Sequence, residues 1–346
     1  MIGAPDFMTE TLKIAASGGR AAPAADTLSD LLQMVRLSGS VFFKSEFAAP
    51  FAISTGAEAI IARLFGGNRP GDITAFHLVS EGCCWVNTPD SGRIELQRGD
   101  VVMFPFGDQH ELGNGEAPVM PVSVLVEAQC REGVISALRY GGDGEATTIV
   151  CGFVQSGSLF SNPIFQGLPA VLIERTAEEP VTSLLASTVR QLLGEVETLR
   201  PGSREMLGRM MEVLFVEMLR RFVGRVPERS VGWVGAMADQ MVSRALQRIH
   251  AEPMRDWTVE QLAAAVGTSR SVLSERFKAV LGKPPIQYLA EWRLQVAGNL
   301  LSDGTRSIAD IACEVGYESQ ASFSRAFKRH LGTSPGAWRQ ARSKAA

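Results

Sequence analysis

The last third of the chain repeats itself at an offset of about fifty residues, and this repeat constrains the fold more than any other feature. Ser269 to Pro285 (SRSVLSERFKAVLGKPP) lies over Ser319 to Pro335 (SQASFSRAFKRHLGTSP), with Ser, Ser, Phe, Lys, Leu, Gly and Pro at matched places. Self-similarity at a fixed period marks one supersecondary unit used more than once. Upstream of each copy, Val259-x-x-Leu262-Ala263-x-x-Val266-Gly267 lies over Ile308-x-x-Ile311-Ala312-x-x-Val315-Gly316. Apolar residues at i, i+3 and i+7 make one face of a short helix, and the alanine lets the following helix approach closely. Gly267 and Gly316 supply the left-handed residue that a tight turn needs, and Ser269 and Ser319 stand where an N-cap belongs. Leu273 and Phe277, or Phe323 and Phe327, bury the second helix, which Gly282 or Gly332 and the prolines beyond then stop. Each unit therefore reads helix, turn, helix. Between them, Pro285 to Asp303 has helical apolar spacing at Ile286, Leu289, Trp292, Val296 and Leu300, which predicts one long linking helix.

The charge pattern points to what such units touch. The net charge is −3, yet residues 228–346 hold 16 Lys and Arg against 11 Asp and Glu, whereas residues 1–227 hold 18 against 26. A basic module behind an acidic front end fits phosphate contact by one part of the chain only. In a helix-turn-helix the second helix enters the major groove and its exposed N-terminal residues meet base edges. The first unit presents Arg270, Ser271, Ser274 and Glu275. The second presents Gln320, Ala321, Ser322, Ser324 and Arg325, where Gln suits adenine, Arg suits guanine and Ala suits a thymine methyl. Arg276, Lys278, Lys328 and Arg329 fit phosphate contacts, which position the protein without reading sequence. The expected partner is double-stranded promoter DNA, with the two readers in groove segments roughly 34 Å apart.

At these residues the resemblance becomes specific. The stretch from WTVEQLAAAVGTSRSVLSERFKAVLGKPPIQYLAEWRLQVAGNLL to SIADIACEVGYESQASFSRAFKRHLGTSPGAWR resembles the AraC/XylS family of transcription regulators over about residues 233–340. The resemblance implies a sequence-specific activator acting with RNA polymerase, and a strong contribution to promoter binding from the GYESQASFSRAFKR unit.

Residues 30–175 are strand-like, with short Val/Ile/Phe runs broken by Gly, Pro, Asn and Asp. Gly99-Asp-Val-Val-Met-Phe-Pro105-Phe-Gly107-Asp-Gln-His110-Glu-Leu-Gly-Asn114 resembles the second cupin motif with every position filled. The first motif is partial: in Ala75-Phe-His77-Leu-Val-Ser-Glu81-Gly, Ala75 replaces the first histidine. His77, Glu81 and His110, with Cys151 as a thiolate, form a candidate set for a divalent metal; the alternative is hydrogen-bonded residues lining a pocket for an organic effector. A cupin ahead of this DNA-binding module resembles the cupin-bearing branch of the AraC family. Some members of that branch are thought to answer oxidants through cysteine, which makes Cys83, Cys84 and Cys151 redox candidates, against the alternative that each is a buried structural cysteine. Cys313 is read as core, and Cys130 is left unassigned. The rival function is a cupin metalloenzyme, an oxygenase or isomerase built on His77, Glu81 and His110 and fused to a DNA anchor; the reading preferred is a regulator that is not an enzyme.

Residues 181–225 read as two amphipathic helices broken at Pro201-Gly202. One stripe holds Leu184, Leu185, Val189, Leu192 and Leu193, and the other Leu207, Met210, Met211, Leu214, Phe215, Met218 and Leu219. Packing on the barrel and on a second subunit, as a homodimer, is expected of them, with an intramolecular core as the alternative. No run approaches the length of a membrane span and residues 1–30 lack a signal-peptide core, so the cytoplasm is expected. The expected fold is thus α+β and multidomain: a flexible N-terminus (1–27), a cupin-like β-barrel sensing an effector (28–178), a helical linker and dimerisation hairpin (179–227), and an all-α double helix-turn-helix DNA-binding domain (228–346).

Overall fold

The computed structural model describes residues 28–29, 32, 37–55, 73–129, 136–156, 167–180, 182–226, 230–302, 304 and 306–343. The N-terminal segment 1–27 and Cys130 lie outside the described residues.

Among the described residues eleven strands form two sheets. They are β1 (Leu37–Ala48), β2 (Phe51–Thr55), β3 (Ile73–Glu81), β4 (Cys83–Thr88), β5 (Gly92–Gln97), β6 (Asp100–Phe104), β7 (His110–Asn114), β8 (Val119–Pro121), β9 (Ser136–Gly141), β10 (Ala146–Ser156) and β11 (Leu172–Arg175). One sheet has the order β11-β6-β3-β10-β1-β9 and the other β5-β4-β7-β2-β8. Among the described residues the two sheets face each other without closing, so the expected barrel is an open sandwich. A short helix, α1 (Val122–Gln129), follows β8.

The six-stranded sheet is buried on both faces, which explains why β3 and β6 read as nearly unbroken apolar runs. Alternate residues divide between two cores, because successive side chains of a strand point to opposite faces. Ala75, Val79, Val102 and Phe104 join Phe51, Ile53, Val86 and Leu112 between the sheets. Phe76, Leu78, Val101 and Met103 face the other way, onto α2 (Leu184–Glu197) and α3 (Ser203–Arg225). The helices break at Pro201-Gly202 as expected, Gly202 taking φ +90 just before α3.

Helix α3 lies on β1 through a glycine contact. A Cβ on Gly39 would sit 2.1 Å from the Gly208 carbonyl oxygen, so neither strand nor helix tolerates a side chain there. Both apolar stripes are consumed inside the chain: Leu185, Val189, Leu192, Leu207, Met211, Leu214, Phe215, Met218 and Leu219 are all buried against the sheet and one another. This is the intramolecular packing held as the alternative for these stripes, with Leu193 and Met210 half-buried at their edges. Leu184 is the exception to its stripe and faces outward.

The α3 C-terminus is tied down by charge. Glu174 of β11 is buried and accepts from Arg225 at 2.6 and 2.8 Å and from Arg221 at 3.4 Å, while Arg221 also holds Glu179 and Glu217. Each partner of a buried carboxylate is costly to remove, because the charge is left without compensation.

The remaining helices are α4 (Gly232–Ala238), α5 (Gln240–Ala251), α6 (Val259–Ala265), α7 (Arg270–Leu281), α8 (Pro285–Ser302), α9 (Ile308–Glu314), α10 (Gln320–Leu331) and α11 (Pro335–Ser343). Helix α8 is the predicted linking helix, and it is buried differently at its two ends. Tyr288, Leu289 and Trp292 belong to a core shared with α3 to α7, whereas Leu294, Ala297 and Leu301 belong to a separate core with α9 and α10. Ile286, assigned to the buried stripe, is instead exposed. A single helical stripe describes one neighbour, and this helix has two.

Candidate functional site

The two units are built alike down to their backbone hydrogen bonds. In the first, Thr258 caps α6 and Gln261 returns the bond to the Thr258 N–H at 3.1 Å, a full capping box. The chain turns at Gly267 (φ +75) with Thr268 N–H donating to the Ala263 carbonyl, and Ser269 Oγ then accepts from Val272 N–H at the start of α7. In the second, Ser307 caps α9, Gly316 turns (φ +81), Tyr317 N–H donates to the Ala312 carbonyl, and Ser319 Oγ accepts from Ser322 N–H at the start of α10. Gly282 and Gly332 end both second helices in the left-handed conformation. The extra residue of the second turn is accommodated by Tyr317, whose ring packs edge-on against Phe323.

Of the residues expected to meet DNA, Arg270, Ser271, Glu275, Lys278, Gln320, Ala321, Arg325 and Lys328 are exposed on α7 and α10. Arg270 pairs with Glu260 at 2.9 Å, but both are open to solvent, so the pair is weak and yields readily to a phosphate. Three residues are less available. Ser274 and Ser324 are half-buried. Ser322 is half-buried and spent on the cap, its Oγ donating to the Ser319 carbonyl at 2.8 Å. Arg276, read as a phosphate contact, is exposed, and its Nε donates to Asp239, the N-cap of α5, whose carboxylate also takes the N–H groups of Met241 and Val242. Asp239 lies 37 residues away, and nothing in the local pattern marks it as a partner.

The cupin-like motif residues form a buried hydrogen-bonded chain between the sheets. His77 on β3 and Cys151 on β10 are cross-strand partners in register, and His110 begins β7 of the facing sheet. His110 Nδ1 lies 2.8 Å from the Asp108 carbonyl oxygen, His110 Nε2 lies 2.7 Å from His77 Nε2, and His77 Nδ1 lies 3.1 Å from Cys151 Sγ. A carbonyl only accepts, so His110 carries its proton on Nδ1 and its Nε2 accepts. His77 must then donate from Nε2 and accept at Nδ1, and the Cys151 thiol donates to it. Ser45 Oγ, 4.0 Å from the sulfur, completes the chain from β1. Phe104 stacks on His110 at 3.5 Å with the rings 5° apart, fixing the imidazole plane.

The electrostatics keep this chain neutral. Burial lowers the His110 pKa to about 4, against a smaller opposing pull from the Asp108 carbonyl. Burial first and His110 second hold His77 well below its ordinary value. Burial pushes the Cys151 thiol up to about 12, although the Ser45 hydroxyl works the other way. The resting sulfur is a thiol beside a neutral imidazole, so the nearby histidine does not make it a thiolate.

This arrangement does not fit the candidate metal set and is instead a hydrogen-bonded chain. The two Nε2 atoms point at each other at hydrogen-bond distance, and Cys151 sits on the opposite nitrogen of His77, so the three donors cannot converge on one ion. Glu81 is exposed at the end of β3, its carboxylate accepting from Thr148 at 3.4 Å, and is not brought to the cluster. Among the described residues no group of three His, Cys, Asp or Glu is placed to hold a metal.

The cysteines divide sharply. Cys83 is exposed while its neighbour Cys84 is buried, as alternation along β4 requires, and burial pushes Cys84 up to about 12. Cys313, expected in the core, is exposed on the outer face of α9, because Ile311, Ala312 and Val315 take the inner one. Ser45 is a site residue that no motif marks; its signal is alternation with the buried Phe47 along β1.

A strand sandwich followed by two capped helix-turn-helix units defines a DNA-binding transcription regulator with a cupin front. Comparison with known proteins agrees: a cupin family profile matches residues 26–224 and a helix-turn-helix domain profile matches residues 262–341. An AraC-like transcription regulator of Streptomyces lividans is 30% identical over 273 residues, 78% of this chain and 87% of that protein. RclR of Escherichia coli, named as an RCS-specific transcriptional activator, is 23% identical over 319 residues, 91% of this chain and 97% of that protein. The DNA-binding domain of AdpA, solved with a target DNA, is 31% identical, covers 29% of this chain and 91% of its own, and superposes with a TM-score of 0.27. The chain belongs to the AraC-type family of transcription regulators. No helix among the described residues is long and apolar enough to cross a membrane.

Proposed function

We propose that this protein is a promoter-specific activator whose α7 and α10 read successive major-groove segments, and whose output is set by an effector acting at the Ser45–Cys151–His77–His110 chain. The doubled, identically capped unit carries the reading. Arg325, exposed near the start of α10 with Gln320 and Ala321, is the base reader we assign most weight; Arg270, Ser271, Ser274 and Glu275 serve the first unit, and Lys278 and Lys328 hold phosphates. Footprinting of the full chain on sites selected from a randomised DNA pool tests it: protection of two groove segments one turn apart is expected, and failure to select any sequence refutes it. On such a site Arg325→Ala is expected to cost about 1 to 3 kcal/mol and to relax preference at one base pair. An equal loss on every sequence would show that Arg325 only contacts backbone.

The effector we favour is an oxidant reacting at Cys151, supported by the name of the E. coli relative; the closed site protects the neutral thiol, and reaction requires an opening in which His77 Nδ1, 3.1 Å away, takes its proton. Cys151→Ser preserves a hydroxyl donor to His77 and is expected to leave folding and DNA binding intact while abolishing any response of transcription to oxidant. A full response in the serine variant would move the effector site to Cys83, Cys84 or an organic-ligand pocket. The finer reading also includes action in the cytoplasm, contact with RNA polymerase, and a homodimer, for which the outward Leu184, Met206 and Val213 on α2 and α3 offer an apolar face.

A further inference from the structure

The two DNA-reading units have separate buried cores that meet along α8, where Val296 packs against both, so polar ties along that helix bear on their mutual angle. The first unit's core runs through Trp257, Leu262, Leu273 and Phe277, and the second's through Ile311, Val315, Phe323 and Phe327. Lys283 with Glu291 ties the first unit to α8, and Gln295 with His330 ties α8 to the second. Arg293, near the middle of α8, reaches both units at once. Its Nε donates to the Pro253 carbonyl at 2.7 Å and its Nη2 to the Arg255 carbonyl at 3.0 Å, with Asp256 at 3.5 Å, all in the segment that leads into the first unit. On its other side lies the turn of the second unit. A Cβ on Gly316 would stand 3.0 Å from Arg293 Nη1 and 3.1 Å from Cζ, so the guanidinium rests against that glycine backbone. The same charge lowers the Tyr317 phenol against the larger upward effect of its burial. Met254, between the two carbonyls that Arg293 holds, packs into the second unit's core.

We propose that Arg293 is a positioning residue that locks the two recognition helices at one spacing and one rotational phase, and so sets how strictly the protein measures the distance between the halves of its DNA site. A planar fork can do this, since two edges occupy carbonyls of one unit while a face packs on the other, which an ammonium cannot reproduce. Inserting one base pair between half-sites moves the second by roughly 3.4 Å and turns it by about 35°, given about 10 base pairs per turn. A locked pair of readers cannot follow that change, and a loosened pair can. The inference rests on the two-unit DNA reading above.

The test uses the full-length protein and a site selected from a randomised DNA pool, together with versions of that site lengthened or shortened by one base pair between its halves. Wild type is expected to lose about tenfold or more in affinity at either altered spacing. Arg293→Met, which keeps most of the volume, is expected to bind the original site about tenfold more weakly and to distinguish the three spacings by about twofold or less. Arg293→Lys retains the charge and is expected to show the same flattened preference, which decides the matter if the methionine variant does not fold. Variants that keep the wild-type ratio between spacings overturn the proposal, whatever their absolute affinity. If wild type itself ignores spacing, the two-unit reading fails and the lock falls with it.

Discussion

Lowering the pH from 7.5 to 5 is expected to remove about 2 kcal/mol of folding stability for each of His110 and His250, with His77 adding a further loss of the same sign. His77 and His110 sit neutral between the sheets, His110 at about 4 and His77 well below its ordinary 6.5. His250 on α5 stacks on Trp292 at 3.8 Å and meets the Tyr288 hydroxyl at 2.9 Å, and burial lowers it to about 3. In all three the folded value lies below the unfolded one, so the unfolded chain takes up protons that the fold refuses. The contribution is therefore complete above about pH 6.5 and is lost as the pH falls toward the folded values. Asp100 and Asp108, which burial raises, work in the opposite direction, and His330, which burial lowers, adds to the loss. The loss approaches the lower end of the stability of an ordinary domain, about 5 to 15 kcal/mol. Urea unfolding at pH 7.5, 6 and 5 checks it, and equal midpoints at the two extremes would mean that these histidines are not held neutral. His250→Gln should remove about 2 kcal/mol of that loss, separating the DNA-binding half from the strand sandwich.

What is legible in the sequence and what is not follow a physical division. Local chemistry is readable: Ser269 and Ser319 as caps, Gly267, Gly282, Gly316 and Gly332 as left-handed stops, and Phe277 and Phe327 as core, because each depends on neighbours within one or two turns. The spacing of its motif places His110 in the interior, and His77 with it, where the structure has them. Relations set by distant segments are not readable. Glu81 keeps a ligand spacing, yet β3 ends just where its side chain would need to turn inward. Arg276 reads as a phosphate contact and no motif marks Arg293, and only the fold shows Asp239 beside one and the Pro253 carbonyl beside the other. The linking helix is predicted in its full extent but with one buried face, since periodicity cannot report that its two halves serve different cores. The open sandwich in place of a closed barrel is a matter of sheet pairing, which alternation within single strands does not encode.

That division of cores makes the second large prediction specific. Phe327 is fully buried, lies 5.4 Å from Phe323 and 5.6 Å edge-on from Trp338, and belongs to a core of only eight buried residues supplied by α8, α9 and α10. Truncating it to alanine should cost about 3 to 5 kcal/mol through lost burial and the cavity left behind. A core this small has little in reserve, and it does not continue into the sheets. Phe327→Ala is therefore expected to unfold α9 to α11 locally while β3, β6 and β10 stay intact, leaving protection of a single DNA half-site by the first unit. Phe277→Ala removes the same side chain from a core continuous with Trp233, α3 and the outer face of the six-stranded sheet, so its damage should spread further. Hydrogen exchange read by mass spectrometry distinguishes the two. The Phe327 variant should exchange freely across residues 308–343 with unchanged protection at residues 73–104, whereas the Phe277 variant should lose protection in α4 to α7 and weaken α3 as well. Loss of protection throughout the chain in the Phe327 variant would mean that the second unit is coupled to the rest more tightly than its separate core allows, and that α8 transmits stability as well as spacing.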